Sequence, residues 1–173
     1  DFNWIFLTHF HPDHLGCIRF FKNAKFIVSK KDYEFQERIY KVHSQNDDLL
    51  KYLHLNCPGY KKTIDEIDVI NMKKYFNNFW SDENNGINLS PCYIEDCPEI
   101  PDNIEIIPTP GHTFYHYSYK IKYQNINFLV AGDALSIKHI LMNFKKEDRF
   151  LEPHMIFDKY FISLEKIKNF NGI

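Results

Sequence analysis

Residues 7–16 read LTHFHPDHLG: three histidines and an aspartate fall within six consecutive positions, directly after the apolar stretch of NWIFLT. A lone loop histidine is most often a hydrogen-bonded structural residue, but this density is different. Side chains alternate along an extended chain, so His9, His11 and Asp13 project to one side. Imidazole nitrogens and carboxylate oxygens are the donors that zinc and its borderline neighbours accept. His14 joins them where the chain bends, and Pro12 favours a turn with Leu15 and Gly16 following at once. A short buried strand over 3–8 therefore delivers a candidate metal site to its C-terminal end.

At 173 residues the chain has the size of one domain with a sizeable core. Its 44% hydrophobic and 25% charged residues are ordinary for a globular protein. No apolar run approaches the roughly 18–20 residues of a membrane helix, so an integral membrane protein is not expected. Net charge is -2, and the lysine pairs are dispersed among acidic and aromatic residues, which offers nothing to a nucleic acid or other polyanion. The four cysteines, Cys17, Cys57, Cys92 and Cys97, contain no CxxC pair. Free thiols and a reducing, cytoplasmic setting are the expectation, with a small Cys92–Cys97 loop as the oxidised alternative. Because the sequence opens almost inside a strand, a truncated domain is also expected, and nothing is inferred from the lack of a signal peptide.

Further along, AKFIVS at 24–29 reads as a second strand, and Ser29 as the N-cap of a helix through KKDYEFQERIYKV, with Asp32 and Glu34 near its positive end. Residues 44–90 change character to polar and aromatic helical material, read as a helical insertion within a single domain over 1–173. Beyond it, short strands are expected at INLS, CYIE and IEIIPT, then a pair at FYHYSYKIKY and INFLVAG around Gln124 and Asn125. A final helix, MIFDKYFISLEKIKNF, carries Ile156, Phe157, Tyr160, Phe161, Leu164 and Ile167 at the spacing of one buried stripe.

Two later segments repeat the strand-end arrangement of the first. TPGHTFYHYS at 109–118 follows IEIIP, and FLVAGDAL at 128–135 is an apolar strand ending in Gly132 and Asp133. A carboxylate beside apolar strands needs a partner. On spacing alone Asp133 reads as a helix cap, and His112 as a turn histidine.

Taken together, THFHPDHLG, TPGHT and GDA, in that order and at these separations, resemble the metallo-β-lactamase superfamily of metal-dependent hydrolases. The resemblance covers nearly the whole chain outside the 44–90 insertion. It implies an α/β (α+β) chain folded as a four-layer αββα sandwich whose loops at one edge hold one or two metal ions. In that pattern His9, His11 and His112 hold the first metal, Asp13 and His14 the second, and Asp133 bridges both. The family's last ligand, a histidine in a PGH-type turn after the final helix, has no counterpart before the sequence stops at NFNGI. Two zinc ions are expected in a complete protein, and in this chain either two or one, the second metal being held least tightly without that histidine.

The resemblance also implies a chemistry: zinc-bound hydroxide attacks an ester, thioester, lactone or amide carbonyl, with Asp13 and Asp133 orienting it and Asp13 passing a proton to the leaving group. The expected partner is a small acyl substrate. A flavodiiron assignment is disfavoured because His11 stands where that branch carries glutamate, so zinc is favoured over iron. TPGHTFYHYS is similar to the TPGHTxGH form of glyoxalase II and of the acyl-homoserine lactonases, with Tyr115 in place of glycine and His116 as a supporting residue. Ser136 replaces the tyrosine typical of lactonases, and the Gly- and Cys-containing stretch of glyoxalase II is missing from ALSIKHILMN. Thioesterase and lactonase readings both stay open, beside a non-catalytic or single-metal member of the fold and, further off, a nuclease.

Overall fold

The computed structural model describes residues 2–15, 18–41, 81–82, 87–88, 91–97, 99–135 and 156–172. Two three-stranded sheets make its frame. In the first, β1 (Trp4–Phe6) and β2 (Lys25–Val28) run parallel with Ile5 opposite Phe26, and β2 runs parallel to β5 (Pro91–Tyr93) with Ile27 opposite Cys92. Parallel strands are covered on both faces and so read as unbroken apolar runs; Phe26, Ile27 and Val28 are all fully buried. Around them Leu7, Phe10, Leu15, Ile18 and Ala24 close the main core, with Tyr33 and Tyr93 packed against it.

The second sheet is an antiparallel meander of β6 (Ile104–Pro108), β7 (Tyr117–Tyr123) and β8 (Ile126–Val130). Between β7 and β8 only Gln124 and Asn125 turn the chain, and Gln124 takes φ 53°, the left-handed conformation that tight hairpins require. The sheets meet where Tyr119 donates its hydroxyl to the Leu7 carbonyl at 2.5 Å and sets its ring edge-on to Phe6. Next to that contact the Tyr117 amide donates to the Thr8 carbonyl at 2.9 Å. The end of β1 is thereby fastened to the start of β7, and both strand ends open toward the same edge.

Between β1 and β2 lie a single helical turn, α1 (Pro12–Leu15), and a 3₁₀ turn, Ile18–Phe20. Helix α2 (Lys30–Lys41) follows β2 directly, and Ser29 caps it by accepting the Asp32 amide at 3.1 Å. The last helix, α3 (Phe157–Lys168), buries Ile156, Tyr160, Leu164 and Ile167, four of the six stripe positions, while Phe161 is half-buried. Among the described residues no helix is long and apolar enough to cross a membrane.

The expected helical insertion at 44–90 falls outside the described residues, apart from a short antiparallel pair of β3 (Ser81–Asp82) and β4 (Ile87–Asn88). One expectation needs correcting. Cys92 and Cys97 are disulfide-bonded rather than free, because the turn after β5 brings their Cα atoms to 5.6 Å, within the ordinary range of a disulfide. The reducing setting inferred from free thiols loses that support.

Candidate metal centre

Three strand ends supply the site. His9 and His11 leave β1, with His14 in α1; His112 sits in the turn between β6 and β7; Asp133 lies in a 3₁₀ turn, Gly132–Ala134, directly after β8. Two groups of donors gather there, His9 with His11 and His112, and His9 with His14 and Asp133, the ligand atoms of each within 4.8 Å of one another. Asp133 Oδ2 stands 3.1 Å from His112 Nε2, 3.2 Å from His14 Nε2 and 3.8 Å from His9 Nε2. His112 Nε2 lies 3.0 Å from His11 Nδ1. Asp133 thus faces imidazoles from both groups. Asp13 lies within α1, and its side chain is outside the described residues.

Glycines make these close approaches possible. At Gly132 (φ 55°) a Cβ would come within 2.8 Å of the Thr8 side chain, so the residue before Asp133 has room for hydrogen alone. Gly111 (φ 143°) seats the His112 turn on α3: its carbonyl accepts the Ile156 amide at 2.8 Å, and Ser163 Oγ donates to the Pro110 carbonyl at 2.6 Å.

The electrostatics suit a cation. His9 is buried, and that burial, with His11, His112, His116 and His14 around it, drives its pKa far below the ordinary histidine value and keeps the ring neutral. Its Nδ1 lies 3.0 Å from Thr8 Oγ1, while its buried Nε2 has no hydrogen-bond partner among the described residues. With the proton on Nδ1 and donated to Thr8, Nε2 presents a lone pair to the cluster, the state a metal ligand needs. Hydrogen bonding from His14 holds the Asp133 carboxyl down to about 2, with burial opposing and the His112 charge assisting. A buried, unpartnered nitrogen and an ionised carboxylate amid crowded imidazoles fit a divalent metal of the zinc type.

His116 belongs to the scaffold around this cluster. Its Nδ1 meets Thr109 Oγ1 at 2.9 Å, Thr109 Oγ1 meets Ser118 Oγ at 2.8 Å, and Ser118 donates to the Ala131 carbonyl at 3.0 Å, tying the His112 turn to the strand end that carries Asp133. Sequence reasoning placed His116 as a support and left Thr8, Thr109 and Ser118 unassigned; a run of small hydroxyl residues flanking the histidines was the available signal.

Burial lowers His116 to about 4, from an ordinary value of 6.5. As pH falls below 6.5 the unfolded chain binds this proton first, so stability is lost down to about pH 4, by about 3 kcal/mol in full. Asp32 acts with the opposite sign. Burial raises it to about 7 from 3.8, so the native state takes up its proton first and gains stability over the same window, by about 4 kcal/mol. Urea unfolding of the metal-free protein between pH 7.5 and 4 is therefore expected to lose stability more steeply in Asp32→Asn than in the unsubstituted protein. Equal slopes would contradict these assignments.

The sequence profile described as the metallo-beta-lactamase superfamily matches residues 1–171. Among solved structures, a hydrolase of the beta lactamase superfamily, AbOPH, aligns at 22% identity and a TM-score of 0.55, over 97% of this chain and 53% of its own. AidC, a dizinc quorum-quenching lactonase solved with a product, aligns at 20% identity and a TM-score of 0.54, over 95% and 52%. A probable metal-dependent hydrolase from Staphylococcus aureus aligns at 17% identity and a TM-score of 0.50, over 96% and 48%. The chain spans about half the length of these proteins. No curated protein matches it.

Proposed function

This chain belongs to the metallo-β-lactamase superfamily, and on that premise we propose that it acts as a metal-dependent hydrolase of an ester, thioester, lactone or amide carbonyl. The observation that carries the reading is the meeting of His9, His11, His14, His112 and Asp133 from three separate strand ends, with His9 Nε2 buried and unpartnered among them. His9, His11 and His112 would hold a first metal, Asp13 and His14 a second, and Asp133 would serve both; zinc suits the imidazole-rich donor set. Bound there, zinc supplies Lewis acidity toward a carbonyl oxygen and lowers the pKa of water to about 7.

The chain's own residues do the rest. His9 and His112, each 3% exposed, form the closed floor, whereas the Asp133 side chain, 39% exposed, and that of His14, 30% exposed, leave the cluster open on the side a substrate enters. Asp133, ionised across the working pH range, accepts a hydrogen bond from the attacking water and orients it. Asp13 passes a proton to the leaving oxygen, sulfur or nitrogen. The product N-hexanoyl-L-homoserine in complex with the lactonase AidC is a small acyl compound, which supports a substrate of that size.

Purified protein assayed against an aryl ester, an aliphatic thioester and an acyl-homoserine lactone is expected to hydrolyse at least one of them, to lose that activity on chelation and to regain it with added zinc. Hydrolysis indifferent to chelator, or none by zinc-loaded protein on any of the three, would contradict the proposal.

A further inference from the structure

We propose that Asp32 is a positioning residue that fixes the loop presenting His9 and His11, two of the first metal's three imidazoles. The inference rests on the metal-centre reading above and concerns a side chain outside that ligand set. Asp32 lies in the first turn of α2, is 1% exposed, and accepts the Phe10 amide on Oδ2 at 2.6 Å. Phe10 is the residue between His9 and His11, so this bond fixes the peptide from which both rings project. Thr113, the residue after His112, stands beside the same carboxyl, but among the described residues neither Asp32 Oδ1 nor the Thr113 hydroxyl makes a hydrogen bond. One buried carboxyl thus holds the segment that bears His9 and His11 from outside the ligand set.

Helix capping does not account for it. An acidic residue in a first helical turn ordinarily serves the helix's own amides from a solvated position. In α2 that work is done by others: Ser29 Oγ accepts the Asp32 amide, and Glu95 accepts the Lys30 amide at 3.0 Å and the Lys31 amide at 3.3 Å. Ser29 in turn donates its hydroxyl to Glu95 Oε1 at 2.9 Å. The Asp32 carboxyl is left to reach back 22 residues to the histidine loop. Burying a carboxyl is costly unless hydrogen bonds compensate, and such outer partners typically set ligand orientation.

The test measures zinc affinity by chelator competition, together with kcat, KM and the thermal midpoint of the metal-free form, in the full chain and its variants. Asp32→Ala is expected to weaken zinc binding about 10–100-fold. Asp32→Asn keeps an acceptor for the Phe10 amide and should restore affinity to within about threefold, well short of the loss typical for a removed partner. Glu95→Ala removes the acceptor of the Lys30 and Lys31 amides in the same helical turn, and is expected to lower the midpoint while leaving zinc affinity unchanged. If Asp32→Ala does not fold, Asp32→Leu, which fills the buried position with an apolar side chain of similar shape but offers the Phe10 amide no acceptor, decides the matter, with a loss of at least about threefold expected. Zinc affinity unchanged in Asp32→Ala, or in Asp32→Leu where Asp32→Ala does not fold, or Asp32→Asn as weak as Asp32→Ala, would overturn the positioning role. An unsubstituted protein that binds no zinc would instead overturn the metal-centre reading.

Discussion

Asp133→Asn is expected to weaken zinc binding on the order of 100-fold and to lower hydrolysis at sub-saturating zinc by at least as much. Zinc sites bind with about 10–16 kcal/mol, so one of four ligands is worth roughly 3 kcal/mol. The asparagine keeps the shape of the side chain but cannot bring a negative charge to a point within 3.8 Å of His9, His14 and His112. Because Asp133 is half-buried and sits in a 3₁₀ turn at the cluster's open side, the fold should tolerate the change, with a thermal midpoint of the metal-free form close to that of the unsubstituted protein. Chelator competition and initial rates at fixed zinc measure both effects. Unchanged affinity would remove Asp133 from the ligand set and return it to the cap reading.

Gly111→Ala is expected to cost about 3 kcal/mol or more of stability and to disrupt the site at the same time. Its φ of 143° is strained for any residue with a side chain, and an added Cβ would lie 2.2 Å from the Tyr160 Cα, a backbone atom in α3 that cannot swing aside. The collision would push the His112 turn off the helix, breaking the Ile156-to-Gly111 amide bond and the Ser163-to-Pro110 bond. Denaturant unfolding reads the loss, and zinc affinity of the folded fraction reads the displacement of His112. A variant as stable as its parent would show that the turn is not held as described.

Local patterns made part of this legible in the sequence. The crowding of His9, His11 and His14 pointed to a strand end bearing donors; the Ser29 cap with its downstream acids located α2; the stripe from Ile156 to Ile167 located α3; and Gln124 with Asn125 located the hairpin. What eluded it was set by long-range pairing. The CYIE segment looked like one more strand of the second half, yet β5 runs parallel to β2 across the whole intervening chain, a pairing no local spacing encodes. Whether Cys92 and Cys97 bond depends on the turn that follows this strand. Asp32 looked like a favourable charge at a helix start, because nothing nearby in sequence reveals that its carboxyl is buried against Phe10. Asp133 was ambiguous for the same reason: cap and ligand share one local sequence, and only its approach to His112 and His14 separates them.

Whether the converging imidazoles hold zinc is read from the metal content per chain, by elemental analysis of protein purified without chelators or a metal-binding tag, beside His112→Ala. About one to two zinc ions per chain are expected in the unsubstituted protein and a large loss in the variant, at unchanged secondary structure. A folded protein that stays metal-free after dialysis against zinc would contradict it, leaving the five converging side chains as a hydrogen-bonded cluster without the chemistry assigned to them.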